Sequence, residues 1–521
     1  MHSTAVHTAF ITGILIHSFR LTHVIHNMDN VLALPEGLGV GIESGRWMLQ
    51  LLKDILKVIG FSYNLPIAAG GFFLACISLA AGLTAELYQC KNRRTAGMIA
   101  VLFVCFPTVS ATMVYNFTLI PYGIGILLSV AAVWVYAHCH CPIIWSAICI
   151  AVSLGCYQGY LPLSISMFVV ILLKETVSGK EVCYILKKGM TYAAGLLLGL
   201  GMYFVCLKML LHYYQKELSD YRGINTMGQL NHGALPDLIR EIYRQFFVLP
   251  YGNTKGIVSC SPLRYAYLIC ILLTVLLIVL TAVQHRIRLS SLLLTVILCA
   301  VYPIAVKFII IMGQDPYTDT LVSYASVMVP CTPLILLAEV QEMKSDFLEK
   351  IRRYGKKCAE VSVIVLIFFY IYSANLNYIS VYSANRQVEG YLNNLVSQVR
   401  MTEGFTTDKE RVCIGEISDP MLEFIWTEGS VYRGAASTKD FLRCYSTKFW
   451  LKNVLGYQII FADEEKSEKV LQRPEVQQMP CWPNYGSVKV MEDVIVIKFE
   501  DAEKVSSWNQ EPSDLVKAFL D

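Results

Sequence analysis

Two short polar segments hold the residues best suited to chemistry: His26-Asn27-Met28-Asp29-Asn30 and, just downstream, Glu43-Ser44-Gly45-Arg46-Trp47. A carboxylate such as Asp29 takes a proton from an attacking hydroxyl when reach and pKa suit. Arg46 offers a planar fork that meets a phosphate at two points, and Gly45 keeps the approach to the backbone open. A carboxylate near an arginine at a membrane surface is a place for chemistry on a lipid phosphate. Both residues also have a plainer reading. Asp29 is equally a solvated loop acid with asparagines close by, and Arg46 an interfacial anchor beside Trp47.

The elements that must position these residues follow from composition. With 55% hydrophobic residues, 16% charged residues and a mean hydropathy of +0.49, the chain exceeds what a soluble surface accommodates. A net charge of +3 gives no reason to expect nucleic-acid binding. Apolar runs of roughly 17 to 25 residues, some shorter around prolines, occupy 5–25, 66–88, 96–115, 119–137, 142–156, 160–173, 189–211, 265–283, 290–312, 321–338 and 358–374. This predicts an α-helical polytopic membrane protein with about eleven spans. Dense positive charge falls at Lys91-Asn92-Arg93-Arg94, 174–188, His285-Arg286-Ile287-Arg288 and 344–357, whereas the short loops 116–118, 157–159 and 313–320 carry no lysine or arginine. A cytoplasmic amino terminus satisfies the positive-inside rule, and an odd number of spans then puts the carboxy-terminal segment outside. No small-residue cleavage site follows the first span, so it does not read as a signal peptide.

The expected organisation is a transmembrane domain over 1–374, with external loops 26–65 and 212–264, and a small extracytoplasmic α/β domain over 375–521. In the first loop Trp47, Met48, Leu51, Leu52, Ile55, Leu56 and Ile59 recur at helical spacing, the pattern of a helix lying in the interface. In the carboxy-terminal segment β-rich runs are expected at 411–417, 457–462 and 488–499.

Further polar residues fall on the same external face. Tyr157 and Gln158 lie at an uncharged turn where an amide can bond sugar hydroxyls, or simply belong to an aromatic belt. Asp315 and Asp319 form a second acidic loop, with solvation of a tight turn as the plain alternative. Arg240 and Arg244 in the large loop can contact phosphate or form a wet helical face.

Most of the 17 cysteines lie in apolar runs and read as small hydrophobes, while Cys413, Cys444 and Cys481 are placed to pair in the external domain. His138-Cys139-His140-Cys141 lacks a second cluster to complete a tetrahedral zinc site, and His17 and His26 would point to opposite sides of one helix. No metal or other cofactor is expected. Phosphate-binding glycine loops, Gly-x-Ser-x-Gly elbows and His-Glu-x-x-His are missing, which argues against a nucleotide-powered pump or a cytoplasmic nucleotide-sugar enzyme.

The first span, the acid in Asn27-Met28-Asp29-Asn30, the Ser44-Gly45-Arg46-Trp47 segment and Ser153-Leu154-Gly155-Cys156-Tyr157-Gln158-Gly159-Tyr160 together resemble the bacterial serotype-converting O-antigen glucosyltransferases, a family similar to the GT-C membrane glycosyltransferases. The resemblance implies transfer of a hexose, usually glucose, from a polyprenyl-phosphate (undecaprenyl-phosphate) donor to a surface polysaccharide or its lipid-linked precursor, at the outer face of the bacterial cytoplasmic (inner) membrane. It implies that Asp29 is the first-loop base. This chain departs from members with two acids in that motif, which places a metal there in doubt, and Glu43 either positions the acceptor or replaces Asp29. Two rival classes stand beside this one. A flippase or transporter should show paired halves, which are not apparent here. A glycan polymerase differs by using an oligosaccharide diphosphate.

Overall fold

A computed structural model describes residues 2–33, 41–58, 60, 65–90, 92–219, 235–248, 250–251, 261–313, 319–337, 345–419, 421–422 and 438–510. The helices run α1 (His2–Ile16), α2 (Ser18–Thr22), α3 (Met28–Leu32), α4 (Trp47–Val58), α5 (Pro66–Leu87), α6 (Arg93–Cys105), α7 (Pro107–Met113), α8 (Leu119–His138), α9 (Pro142–Cys156), α10 (Leu161–Val177), α11 (Val182–Tyr214), α12 (Leu235–Val248), α13 (Ser261–His285), α14 (Leu289–Val306), α15 (Ile309–Gly313), α16 (Met328–Leu336) and α17 (Asp346–Met401). Among the described residues, eight helices are long and apolar enough to cross a membrane, and three more, Ser3–Ile16, Pro142–Cys156 and Tyr324–Leu336, are apolar but shorter. Most apolar runs read from the sequence are thus a helix or a pair of helices over their described residues, and 321–337 is two 3-10 turns followed by α16. α5 packs on α1 and α8, α9 lies between α8 and α11, α10 meets α14, and α13 meets α16 and α17.

Several runs are broken near one end, and proline is the cause in the clearest case. The run 96–115 is two helices because Pro107 opens α7 and drives Phe106 extended, at φ −55° and ψ 140°. Pro107 has no N–H, so the Phe103 carbonyl loses its helical donor. The Tyr324 hydroxyl replaces it at 2.9 Å, and the His17 ring does the same for Val104 O, also at 2.9 Å. Buried backbone groups at a break must find such partners where water is scarce. Likewise 290–312 divides into α14, which carries Pro303, and α15.

α4 forms where the apolar spacing predicts it, packs against α9, and leaves Ile55 and Val58 exposed. The boundary expected at 374/375 falls inside α17, a single helix of 56 residues.

Beyond α17, β1 (Glu410–Ile414), β2 (Val488–Met491) and β3 (Val494–Lys498) form a sheet of order β1-β3-β2, with β1 parallel and β2 antiparallel to β3. The run 488–499 is therefore a hairpin. The strand expected over 457–462 reduces to one bridge between Phe461 and Arg411. Asn509 explains this. Its amide accepts from Cys413 N at 2.7 Å and donates to Arg411 O and Ala462 O at 3.0 and 2.9 Å, so a side chain takes over the edge of β1. The structure pairs none of Cys413, Cys444 and Cys481; all three are free thiols.

Candidate active site

Asp29 sits in the first turn of α3, a five-residue helix that begins because the Asn27 side chain accepts from Asn30 N at 2.7 Å. Asparagines fix this short element from several directions. Asn30 donates to Val114 O at 2.6 Å and accepts from Asn116 N at 2.9 Å. Asn385, on α17, grips the His26 backbone from both sides, accepting from N at 2.7 Å and donating to O at 3.0 Å. Asn453, from the carboxy-terminal unit, donates to Val31 O at 2.9 Å. Beneath them the buried Arg20 donates to Met113 O at 2.7 Å, His23 O at 2.9 Å and the Asn116 side chain. The backbone that carries Asp29 is thus held from several sides.

Burial pushes the Asp29 carboxyl up to about 6, and the Arg46 guanidinium opposes part of that rise. Burial lowers His26 to about 4, helped by the Arg20 charge, so its ring is neutral against the edge of Trp450 at 5.5 Å.

Arg46 reaches the same place from another element. The turn Ile42–Ser44 ends on Gly45 at φ +73°, where a Cβ would lie 2.6 Å from both the Gln158 amide nitrogen and the Tyr203 hydroxyl. Gln158 Nε2 donates to Ser44 O at 2.9 Å and to the Tyr203 hydroxyl at 3.1 Å, and that hydroxyl donates to Gly45 O at 3.0 Å. The Arg46 guanidinium then lies over the Tyr157 ring, 4.9 Å from its centroid, and Tyr157 stacks on Tyr122 at 4.4 Å. Trp47 is buried against Gly155, where a Cβ would come within 2.5 Å of the indole. Its Nε1 has no hydrogen-bond partner among the described residues.

Asp319 precedes the turn Thr320–Val322, its backbone carbonyl accepting from Val322 N; Val322 lies beside Gly159, and both Asp29 and Asp319 lie within electrostatic reach of Tyr115. The structure therefore gathers Asp29, Arg46, Trp47, Tyr157 and Asp319 at one end of the helices. It directs others elsewhere. Glu43 pairs with Lys216 at 3.1 Å and its carbonyl accepts from Ser219 N. Gln158 spends its amide hydrogens on Ser44 O and on the Tyr203 hydroxyl that braces the Gly45 turn. Arg244 is exposed on α12 and forms a two-point pair with Glu241, both contacts at 2.6 Å. Asp315 lies outside the described residues.

Sequence reasoning missed Tyr122, Tyr203, Asn385 and Asn453. For Tyr203 a signal existed, a hydroxyl inside an apolar helix; Asn385 and Asn453 gain meaning only from distant contacts. His138 stacks on Trp134 at 3.9 Å and faces Glu86 at 3.4 Å. Among the described residues no group of three or more histidines, cysteines or acids is arranged to hold a metal ion.

A bundle of long apolar helices with a buried acid and an arginine at one end has the make-up of a multi-pass membrane protein. The chain matches the family described as Glucosyl transferase GtrII over residues 18–337, and it belongs to that family. No curated protein and no solved structure matches it. The family region contains Asp29, Arg46, Tyr157 and Asp319 but stops short of Asn385, Trp450 and Asn453.

Proposed function

We propose that this glucosyltransferase moves glucose from a polyprenyl-phosphate donor to a surface polysaccharide or its lipid-linked precursor, on the extracytoplasmic face of the bacterial inner membrane. The observation that carries the reading is the buried Asp29 carboxyl within electrostatic reach of the Arg46 guanidinium, with the family membership supplying the transferred group. Asp29 takes the proton of the acceptor hydroxyl as its oxygen bonds to the anomeric carbon. The bond from that carbon to the phosphate oxygen breaks, and polyprenyl phosphate leaves with both electrons. Arg46 meets the charge that grows on the departing phosphate, as a preorganised donor does. Tyr157, stacked on Tyr122, holds the Arg46 guanidinium in place from one face of its ring. No metal is assigned to the step.

The orientation rests on charge. The basic residues Arg93, Arg94, Arg286 and Arg288 lie at helix ends opposite Asp29 and Arg46, which the positive-inside rule makes cytoplasmic. The test is to incubate the purified protein with undecaprenyl-phosphate glucose and candidate lipid-linked acceptors and to follow the lipid fraction by mass spectrometry. A hexose gained by the acceptor supports the reading. Donor consumption without any acceptor gain, or movement of the intact donor across a bilayer, removes it.

A further inference from the structure

A cavity of about 270 Å³ lies between the last turns of α17 and the sheet unit, close to the lower end of the roughly 300–1,000 Å³ of small-molecule sites. Leu395 and Val399 of α17, Leu451 of the turn Trp450–Val454 and Ile497 of β3 give it buried apolar walls, and Trp508 adds an indole. Exposed Thr407 and Gln458 put its mouth at the surface. The lining contains two arginines, Arg400 and Arg411, and no acid. It falls wholly outside the region matched by the family, 18–337.

Arg411 is 5% exposed, and its guanidinium bonds only through Nη1, to Thr407 O at 3.0 Å and to Lys409 O. It also lies over the Phe405 ring, 5.6 Å from the centroid. Thr407 and Phe405 both line the cavity, so the charged group is at its wall. Nε and Nη2 donate to nothing among the described residues. Asp408 is exposed and within electrostatic reach, yet no described carboxylate is close enough to pair. Lys498, a buried cation of the same unit, is treated differently: it has Gln477 O, Met479 O and Asp501. A buried charge with donors to spare is costly unless something compensates it. Arg400, exposed on the last turn of α17, has no ion pair among the described residues. A cation is favoured at a helix C-terminus in any case; what sets this one apart is that it shares a cavity with Arg411. The walls offer a sugar few partners, since the Tyr457 hydroxyl is spent on Asn393 at 2.8 Å. About 39 Å of helix separates Arg400 from Ala374, the end of the apolar run, which favours a solute over a bilayer lipid.

We propose that this cavity is a binding site for a small apolar carboxylic acid, its ring or short chain against the apolar walls and its carboxylate on Arg411 and Arg400. A guanidinium meets a carboxylate at two points, and the acid supplies the charge Arg411 lacks. The occupant also braces the reaction site. Leu451 in the wall shares its turn with Trp450, which lies against His26, and with Asn453, which holds Val31 O. The full-length protein in lipid nanodiscs is titrated with 4-phenylbutyrate and with uncharged 4-phenylbutanol, for the native chain, Val399→Phe, Arg411→Gln and Arg400→Gln. Thermal unfolding reads the binding, since a ligand of the folded state raises the melting temperature. The native chain should bind the acid more tightly than the alcohol. Arg411→Gln should lose about tenfold or more in affinity for the acid, Arg400→Gln less, and Val399→Phe, which fills the cavity, should bind neither. Hydrogen exchange at residues 23–33 of the native chain should slow at saturation with the acid. No response to the acid, or an alcohol that binds as tightly, overturns the proposal. Affinity that survives Val399→Phe places the acid elsewhere and does the same. Exchange that stays at its unliganded rate overturns the brace. Should Arg411→Gln not fold, an undiminished preference for the acid in Arg400→Gln, a change at an exposed position, overturns the role of the arginines.

Discussion

A base that serves near neutral pH needs a pKa close to the working range, and burial gives Asp29 that value at the cost of its easy ionisation. The base form exists above its pKa, so transfer should fall as the pH drops through about 6. Arg46 favours the carboxylate, so Arg46→Gln should move that acidic limb to higher pH, read from kcat/KM against pH. Arg46→Lys keeps the charge but not the planar fork, and should weaken donor use with a smaller pH shift. Asp29→Asn should cost about a hundred to ten thousand fold in turnover while donor binding persists. Glu43→Gln should cost far less, because Glu43 faces Lys216. Full turnover in Asp29→Asn with loss in Glu43→Gln would reverse the two roles.

The elements around the site were legible to different degrees. Long apolar helices announce themselves because burial or lipid on every side leaves no polar stripe. The breaks do so less, since Pro107 marks one but nothing local says that Tyr324 and His17 will take over the released carbonyls. Asp29 and Arg46 stood out because polar residues near the end of an apolar run invite a question. What holds them did not, since His26 with Asn385 and Val31 with Asn453 pair across hundreds of positions without any local periodicity. Gln158 shows another limit: its type suggests sugar binding, but nothing local says that its amide nitrogen will also donate to Ser44 O and the Tyr203 hydroxyl. Asn385→Ala should strip two hydrogen bonds from the His26 backbone and destabilise the loop by about 1–3 kcal/mol. Hydrogen exchange at residues 23–33 should rise, and kcat should fall more than donor KM changes. Exchange that stays at the native rate would mean that Asn385 does not hold the loop.

For the whole molecule, the charge pattern makes a topological prediction. A reporter active only outside the cytoplasm should work when fused after Asp521 and fail after Arg94. An inactive reporter at the carboxy terminus would require one crossing more or fewer. The long helix α17 adds a mechanical consequence. At 56 residues it extends about 84 Å, against about 30 Å of bilayer hydrocarbon, and it runs without a break from the apolar helices to the sheet. Asn385 lies on it and Asn453 lies beyond it, so the two grips on the Asp29 loop share one rod. Each added residue turns everything downstream by about 100° and lifts it by about 1.5 Å. Placed between Asn385 and Met401, one extra residue would therefore swing Asn453 away from Val31 while Asn385 stays put. Seven extra residues, close to two full turns, would restore the angle but leave the unit about 10 Å too high. The helix thus acts as both gauge and compass for the carboxy-terminal unit, so its length in this stretch is as constrained as its side chains.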